Sequence, residues 1–268
     1  MQVAALQMVS GASVQANLDA ASQLLAHAAA QGAELALLPE YFCLMGLKDT
    51  DKLDIQETPG QGPIQDFLAR CARELKLWIV VGTVPLRASD SRHVHNSSLV
   101  YAPSGQCVAR YDKIHLFWFD NGREQFDESR VIECGAEPVT FDLPSIDGHR
   151  YRVGLSICYD LRFPELYRAM KADLLLVPSA FTWTTGQAHW EVLLRARAIE
   201  NLAYVVAAAQ GGVHENGRRT WGQSLIADPW GQILAQQAEG QAVVMAEVLD
   251  QRLRAVRLQL PALNHGVV

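Results

Sequence analysis

Apolar positions along this chain recur with two spacings, and together they predict alternating strands and helices. Gln2 to Met8 is nearly all apolar with weak alternation and reads as a first strand. Ser13 to Gln31 follows, with Leu18, Ala21, Leu24, Leu25 and Ala28 on one stripe, an amphipathic helix closed near Gly32. Leu35 to Pro39 is a short buried strand. Ile64 to Leu75 is a second helix with Phe67, Leu68, Cys71 and Leu75 turned inward. Trp78 to Val84 is a strand that Pro85 ends. A polar connection, Arg87 to His95, leads to paired strands Asn96 to Tyr101 and Cys107 to Leu116 across the Pro103-Ser104-Gly105 turn.

Asp120 to Gly135 is too polar and irregular for a core element and is expected to be a long surface loop. Pro138 to Leu143 leads into a strand, and Val153 to Ile157 is a buried one. The chain then turns sharply through Cys158-Tyr159-Asp160, and Pro164 sits where a helix can begin without losing a hydrogen bond. That helix, Glu165 to Lys171, is followed by strand Asp173 to Val177, helix Gln187 to Ala203 and strand Tyr204 to Ala209. Gly211 to Arg219 reads as a loop and Trp221 to Asp228 as a strand. Ile233 to Ala235 and Val243 to Val248 finish the sheet, Leu249 to Leu258 is a basic helix, and residues 261–268 are a C-terminal tail. The pattern predicts a layered α/β fold with a mixed sheet, in one domain over residues 1–260.

Composition narrows the function. A net charge of −6 in 268 residues, with no lysine/arginine run, argues against nucleic-acid or anionic-membrane partners. MQVAALQMVS has no basic n-region, and no apolar run approaches membrane-spanning length. The five cysteines are scattered without a C-x-x-C pair, which points to thiols in a reducing cytoplasm rather than disulfides. His93-x-His95 is the one ligand-like histidine pair and lacks further Cys/His/acid neighbours, so neither a metal nor a cofactor is expected.

The strand, tight turn and helix around Cys158 form a geometry that lifts a side chain out of a sheet top and aims backbone N–H groups at what it attacks. Cys158 is therefore read as a thiol nucleophile. Glu40 stands at the carboxyl end of LALLP, either facing solvent or, in an aromatic setting of Tyr41 and Phe42, serving as a base. Lys113 in RYDKIHLF is either a protective edge-strand lysine or a cation beside a thiolate and a developing oxyanion. Glu128 is either a solvated loop charge or a partner for Lys113. Glu40, Lys113 and Cys158 all fall at or just beyond strand carboxyl ends, where α/β sheets place ligands.

LLPEYF around Glu40, RYDKIHLF around Lys113 and GLSICYDLRFPELYR around Cys158 resemble the signature blocks of the nitrilase (carbon–nitrogen hydrolase) superfamily, in family order. AALQM, IVVGTVP, Asn96-Ser97, FDES and HWEVLLRARAIENLAYVVAAAQ extend the resemblance along almost the whole chain. The resemblance implies a four-layer α-β-β-α sandwich, paired into homodimers or higher homo-oligomers. It implies Glu40 as general base and acid, Lys113 as electrostatic stabiliser, Cys158 as nucleophile, Glu128 as a second, orienting glutamate, and the Tyr159 N–H in the oxyanion hole. Cys158-Tyr159-Asp160 rather than Cys-Trp-Glu resembles the amidase branch containing deaminated glutathione amidase and omega-amidase, and residues 180–201 resemble the former. A small acidic amide would then be the substrate, in a metabolite-repair task, with nitrile or carbamoyl hydrolysis, or a non-catalytic binding role, as alternatives. Phe181, Thr182 and Trp183 would line the acyl pocket. Arg162 is the candidate cation, with an ion pair to Glu165 as its alternative.

Overall fold

The computed structural model describes residues 1–265. In chain order its first half comprises β1 (Gln2–Gln7), α1 (Val14–Ala30), β2 (Leu35–Leu37), α2 (Asp51–Asp54), α3 (Pro63–Leu75), β3 (Trp78–Val80), β4 (Val84–Arg87), β5 (Val94–Tyr101) and β6 (Cys107–Asp112). The middle holds β7 (Trp118–Asp120), β8 (Gln125–Asp127), β9 (Thr140–Pro144), β10 (Arg150–Leu155), α4 (Pro164–Met170), β11 (Leu174–Ser179) and α5 (Trp183–Asn201). The chain continues through β12 (Tyr204–Ala209), β13 (Gly211–Val213), β14 (Arg219–Trp221), β15 (Ser224–Ala227), β16 (Ile233–Gln237), β17 (Ala242–Glu247) and α6 (Asp250–Gln259). No described helix is long and apolar enough to cross a membrane.

Two sheets stack face to face. The first has seven strands, with β17, β1, β2, β3 and β5 in that order and β4 and β6 also paired to β5. The second has six, in the order β16-β15-β12-β11-β10-β9, with β10, β11 and β12 parallel. Alternate residues of the first sheet serve opposite layers. Val3, Ala5, Leu35, Leu37 and Val80 join the core between the sheets. Ala4, Leu6, Ala36, Leu38 and Ile79 pack under α1 and α3. α4 and α5 cover the other face of the second sheet, with Tyr167, Trp190, Leu194 and Ala198 buried. The result is the four-layer α-β-β-α sandwich. Strands covered on both sides are apolar throughout, which is why β1 alternates only weakly in sequence.

The helices follow their local signals. Ser13 caps α1, accepting from the Ala16 N–H, and Leu18, Ala21, Leu24, Leu25 and Ala28 are buried as the stripe predicts. Pro63 opens α3 and Pro164 opens α4.

Several expectations are corrected. The strand Trp78–Val84 is split into β3 and β4, and Pro85 lies inside β4 rather than ending it. Pro85 directs its carbonyl away from β5, to the Glu57 N–H, so the pairing with β5 does not need the N–H that proline lacks. The strand from Cys107 stops at Asp112, not Leu116. The loop Asp120–Gly135 contains most of the β7–β8 hairpin and a short 3₁₀ turn, Glu128–Arg130. Gly211–Arg219 and the start of the following strand form a second hairpin, β13–β14, and α5 begins at Trp183, not Gln187. The last two strands do not finish one sheet: β16 edges the second and β17 the first. Of the expected tail, Ala262–Asn264 is a 3₁₀ turn, and residues 266–268 lie outside the described residues.

Gly82, between β3 and β4, passes so close to the Leu38-Pro39 backbone that a Cβ there would overlap the Pro39 carbonyl. Backbone, unlike a flexible side chain, cannot swing aside. Gly82→Ala is expected to destabilise the protein by roughly 3 kcal/mol and to displace Glu40. Thermal unfolding followed by circular dichroism checks this; an unchanged melting temperature would show that the close approach is not a constraint.

Candidate active site

The carboxyl ends of four strands meet at one cleft. β2 delivers Glu40, β6 delivers Lys113, β10 delivers Cys158 and β11 delivers Ala180. Two local features set the directions. Tyr41 (φ 57) and Cys158 (φ 49) both hold left-handed backbone, an uncommon state for residues with a Cβ that persists only where surroundings fix it. The first turns the chain after Glu40, where the Tyr41 N–H donates to Thr83 Oγ1 at 2.9 Å. The second makes the elbow from β10 into the 3₁₀ turn Cys158–Arg162.

Glu40 is 1% exposed, and both carboxylate oxygens are hydrogen-bonded. Its Oε1 accepts from Asn96 Nδ2 at 2.9 Å and Lys113 Nζ at 2.9 Å, and its Oε2 accepts from the Ala180 N–H at 2.9 Å. Lys113 is 0% exposed, so the solvated edge-strand alternative fails. Its ammonium also reaches Glu128 Oε2 at 2.8 Å. Glu128 in turn accepts from the Tyr41 hydroxyl at 2.8 Å and the Phe117 N–H at 2.7 Å. The chain from Phe117 to Glu128 thus folds back so that its acid reaches the lysine, and the solvated-loop alternative for Glu128 fails as well.

Charge follows from this geometry. Burial pulls the Lys113 ammonium toward neutrality, but the Glu128 and Glu40 carboxylates outweigh it and hold the group charged. Burial pushes Glu128 up, but Lys113 and the Phe117 and Tyr41 donors bring it below its ordinary value. Burial, with the Glu40 carboxylate adding to it, raises the Cys158 thiol well above its ordinary value, against the opposing pull of Lys113. Cys158, 8% exposed, is therefore a thiol rather than a thiolate at neutral pH.

The cleft has about 270 Å³ of empty space and is lined by Glu40, Glu128, Cys158, Tyr159, Phe181, Thr182 and Arg218, among others. The Tyr159 N–H lies in the first turn after the elbow, where backbone donors have no partner within the helix. Phe181 and Thr182 line the cleft. Trp183 does not line the cleft: it packs edge-on against Trp221, with the Arg219 guanidinium over its ring. Arg162 does not line it either, and it does not pair with Glu165. It lies over the Tyr159 and Phe181 rings and meets His189 Nδ1 at 3.2 Å. His93 and His95 contact Asp90 and Glu133 and belong to no metal-ligand cluster among the described residues.

Asp160 and Arg218 carry no site role in the sequence pattern, Tyr41 figures there only as aromatic surroundings of Glu40, and Asn96 only as part of the resemblance. Asp160 is fully buried and ties the elbow to the lysine loop. It accepts from the Ile157 N–H at 2.8 Å, the Tyr111 hydroxyl at 2.7 Å and the His115 N–H at 3.1 Å. An acid in the first turn after a strand is a recognisable cap, so this one was findable. Arg218 comes from the β13–β14 hairpin and carries no local signal.

The family model for carbon–nitrogen hydrolases matches residues 2–258. A deaminated glutathione amidase of Synechocystis sp. is 42% identical over 98% of this chain and 97% of its own length. The human omega-amidase NIT2 is 36% identical over 91% of this chain and 87% of its own. The crystal structure of the C. elegans NitFhit protein superposes with a TM-score of 0.90 at 36% identity, covering 99% of this chain and 65% of that one. The chain belongs to the carbon–nitrogen hydrolase family. Within it, the chain is a nitrilase-superfamily amidase.

A carboxyl whose folded pKa is depressed stabilises the fold above its ordinary value of 4.5, and that contribution drains as pH falls through the lower folded value. Glu128→Gln is expected to cost about 3 kcal/mol at neutral pH, with the difference from the native protein shrinking as pH falls from 4.5 through the lower folded value. Urea unfolding at several pH values measures the gap; a constant gap would contradict the assignment.

Proposed function

We propose that Cys158 attacks the carbonyl carbon of a small acidic amide while Glu40 takes the thiol proton. The raised thiol pKa supports this order, because a protonated sulfur needs a base at the moment of attack. The oxyanion forms between the Lys113 ammonium and the Tyr159 N–H. Glu40 then returns the proton to the departing nitrogen, the C–N bond breaks and a thioester remains. A water that gives its proton to Glu40 attacks the thioester; the C–S bond breaks, Cys158 regains its proton and the acid leaves. Glu128 holds Lys113 by its second carboxylate contact, so the ammonium keeps its direction as charge shifts at Glu40. The observation that carries this reading is that Glu40, Glu128 and Cys158 line one cleft while the buried Lys113 bridges the two carboxylates.

The substrate we assign is deaminated glutathione or a related 2-oxoglutaramate-type amide, a metabolite-repair reaction. Identity to the Synechocystis enzyme over nearly the whole length of both chains supports that choice over omega-amidase. No cofactor enters the scheme. A cytoplasmic homodimer completes the proposal.

The test compares product release from deaminated glutathione and from 2-oxoglutaramate. The native protein is expected to turn over the first faster, Cys158→Ala to abolish both, and Glu40→Gln to lower kcat by about 10²–10⁴. Faster turnover of 2-oxoglutaramate would move the assignment to omega-amidase. Turnover surviving in Cys158→Ala would overturn the mechanism.

A further inference from the structure

Three clefts meet at one residue. Arg218 lines the catalytic cleft, a second cleft of about 370 Å³ and a third of about 310 Å³. The second shares Phe117 and Glu128 with the first, and Tyr41, Asp49 and Lys52 with the third. The catalytic cleft therefore adjoins, at Phe117, Glu128 and Arg218, a space whose walls carry Lys52.

Neither cation has an acid partner among the described residues. Arg218 gives Nη2 to the Ala180 carbonyl at 3.2 Å and lies over the Phe126 ring, and its buried Nε finds no acceptor. Lys52 stands 5.2 Å from the centre of the Tyr41 ring, with burial pulling its pKa down. The acids nearby are committed elsewhere or hydrated. Glu40 and Glu128 hold Lys113, Asp127 accepts from the Ser129 N–H and faces Arg130 at 3.8 Å, and Asp49 is exposed. A buried guanidinium donor without an acceptor is costly, and a carboxylate on the guanidinium fork removes that cost. An ammonium over an aromatic face is still a point charge that can take an anion.

We propose that these clefts form a two-cation subsite for a substrate with two carboxylates. Arg218 receives the carboxylate of the acyl part and Lys52 a carboxylate on the leaving amine. The assignment of ends follows from the chemistry and rests on the amidase reading above. The acyl group stays on Cys158 as a thioester after the amine has gone, so its anchor must line the cleft that holds the sulfur. Arg218 does, and Lys52 does not. Selectivity for an amide whose amine bears a carboxylate over one that loses ammonia then resides in Lys52.

The test uses the full chain in two assays. In the first, kcat/KM is measured for deaminated glutathione and 2-oxoglutaramate. Lys52→Met is expected to lower the ratio of the two roughly tenfold or more, the loss typical of a charged hydrogen bond. In the second, calorimetry follows 2-oxoglutarate binding to the Cys158→Ala protein. Adding Arg218→Gln is expected to weaken binding roughly 10–100-fold, and Arg218→Lys, which keeps the charge but not the fork, to recover part of it. An unchanged ratio in Lys52→Met, or 2-oxoglutarate binding indifferent to Arg218→Gln, overturns the subsite. If native protein hydrolyses neither amide yet binds 2-oxoglutarate through Arg218, the substrate assignment fails and the acyl-carboxylate site stands.

Discussion

The structure is organised by the need to keep one ammonium charged where no water reaches it. Lys113 is wholly enclosed, and an isolated buried charge of that kind would cost several kcal/mol. Two carboxylates from distant parts of the chain converge on it, Glu40 after β2 and Glu128 from the segment after β8. Each carboxylate is in turn held by neutral donors: Asn96 and the Ala180 N–H on one, the Tyr41 hydroxyl and the Phe117 N–H on the other. The Ala180 contact crosses from the first sheet to the second. Gln210 strengthens the same seam, with its Nε2 on Ser10 Oγ and the Glu40 carbonyl and its Oε1 on the Ser10 N–H. Relative placement of the two sheets and geometry of the site are therefore one problem with one solution. That solution also accounts for a lysine and two glutamates where a hydrophobic core of the same volume would be cheaper to assemble.

The elbow obeys a second constraint. Cys158 sits in left-handed backbone, which a residue with a Cβ resists, so neighbours must fix it. Asp160 does so from inside the turn, and Arg197 of α5 does so from behind, giving Nε and Nη2 to the Leu161 carbonyl at 3.0 and 2.7 Å. Because Asp160 also holds Tyr111 and His115, the loop bearing Lys113 is tied to the turn bearing Cys158. Such links between the two segments are the kind of preorganisation on which electrostatic stabilisation of an oxyanion depends.

How much of this was legible in the sequence depends on the range of the interaction. The strands on both sides of Cys158, the stripe of α1 and the proline opening α4 are local patterns, and they read correctly. Strand-end positions placed Glu40, Lys113 and Cys158 near one rim, because topology alone puts them there. The failures share a cause. Pro85 could be tolerated inside β4 only because its outer neighbour is the Glu57 segment, and β16 and β17 went to different sheets through pairings with β15 and β1. Arg162 and Trp183 lie close in sequence to the nucleophile and in the segment after β11, but closeness along the chain does not fix where a side chain turns. Arg162 instead turns onto aromatic rings, Trp183 packs on Trp221, and the cation that lines the cleft arrives from a hairpin some sixty residues after Cys158. Nothing in the local pattern around Arg218 marks it, since its meaning comes from what it faces.

That arginine also resolves a tension in the charge of the whole chain. A net charge of −6 disfavours the approach of the acidic substrate proposed above. Screening limits the conflict, since exposed charges fall silent beyond about 8 Å at physiological salt. Recognition must then be short-ranged, made by cations inside the clefts where water no longer screens them. Lys113 cannot serve, because its charge is already spoken for by Glu40 and Glu128. Two cations without acid partners among the described residues, one at the junction of the clefts and one beyond it, supply what the overall charge withholds.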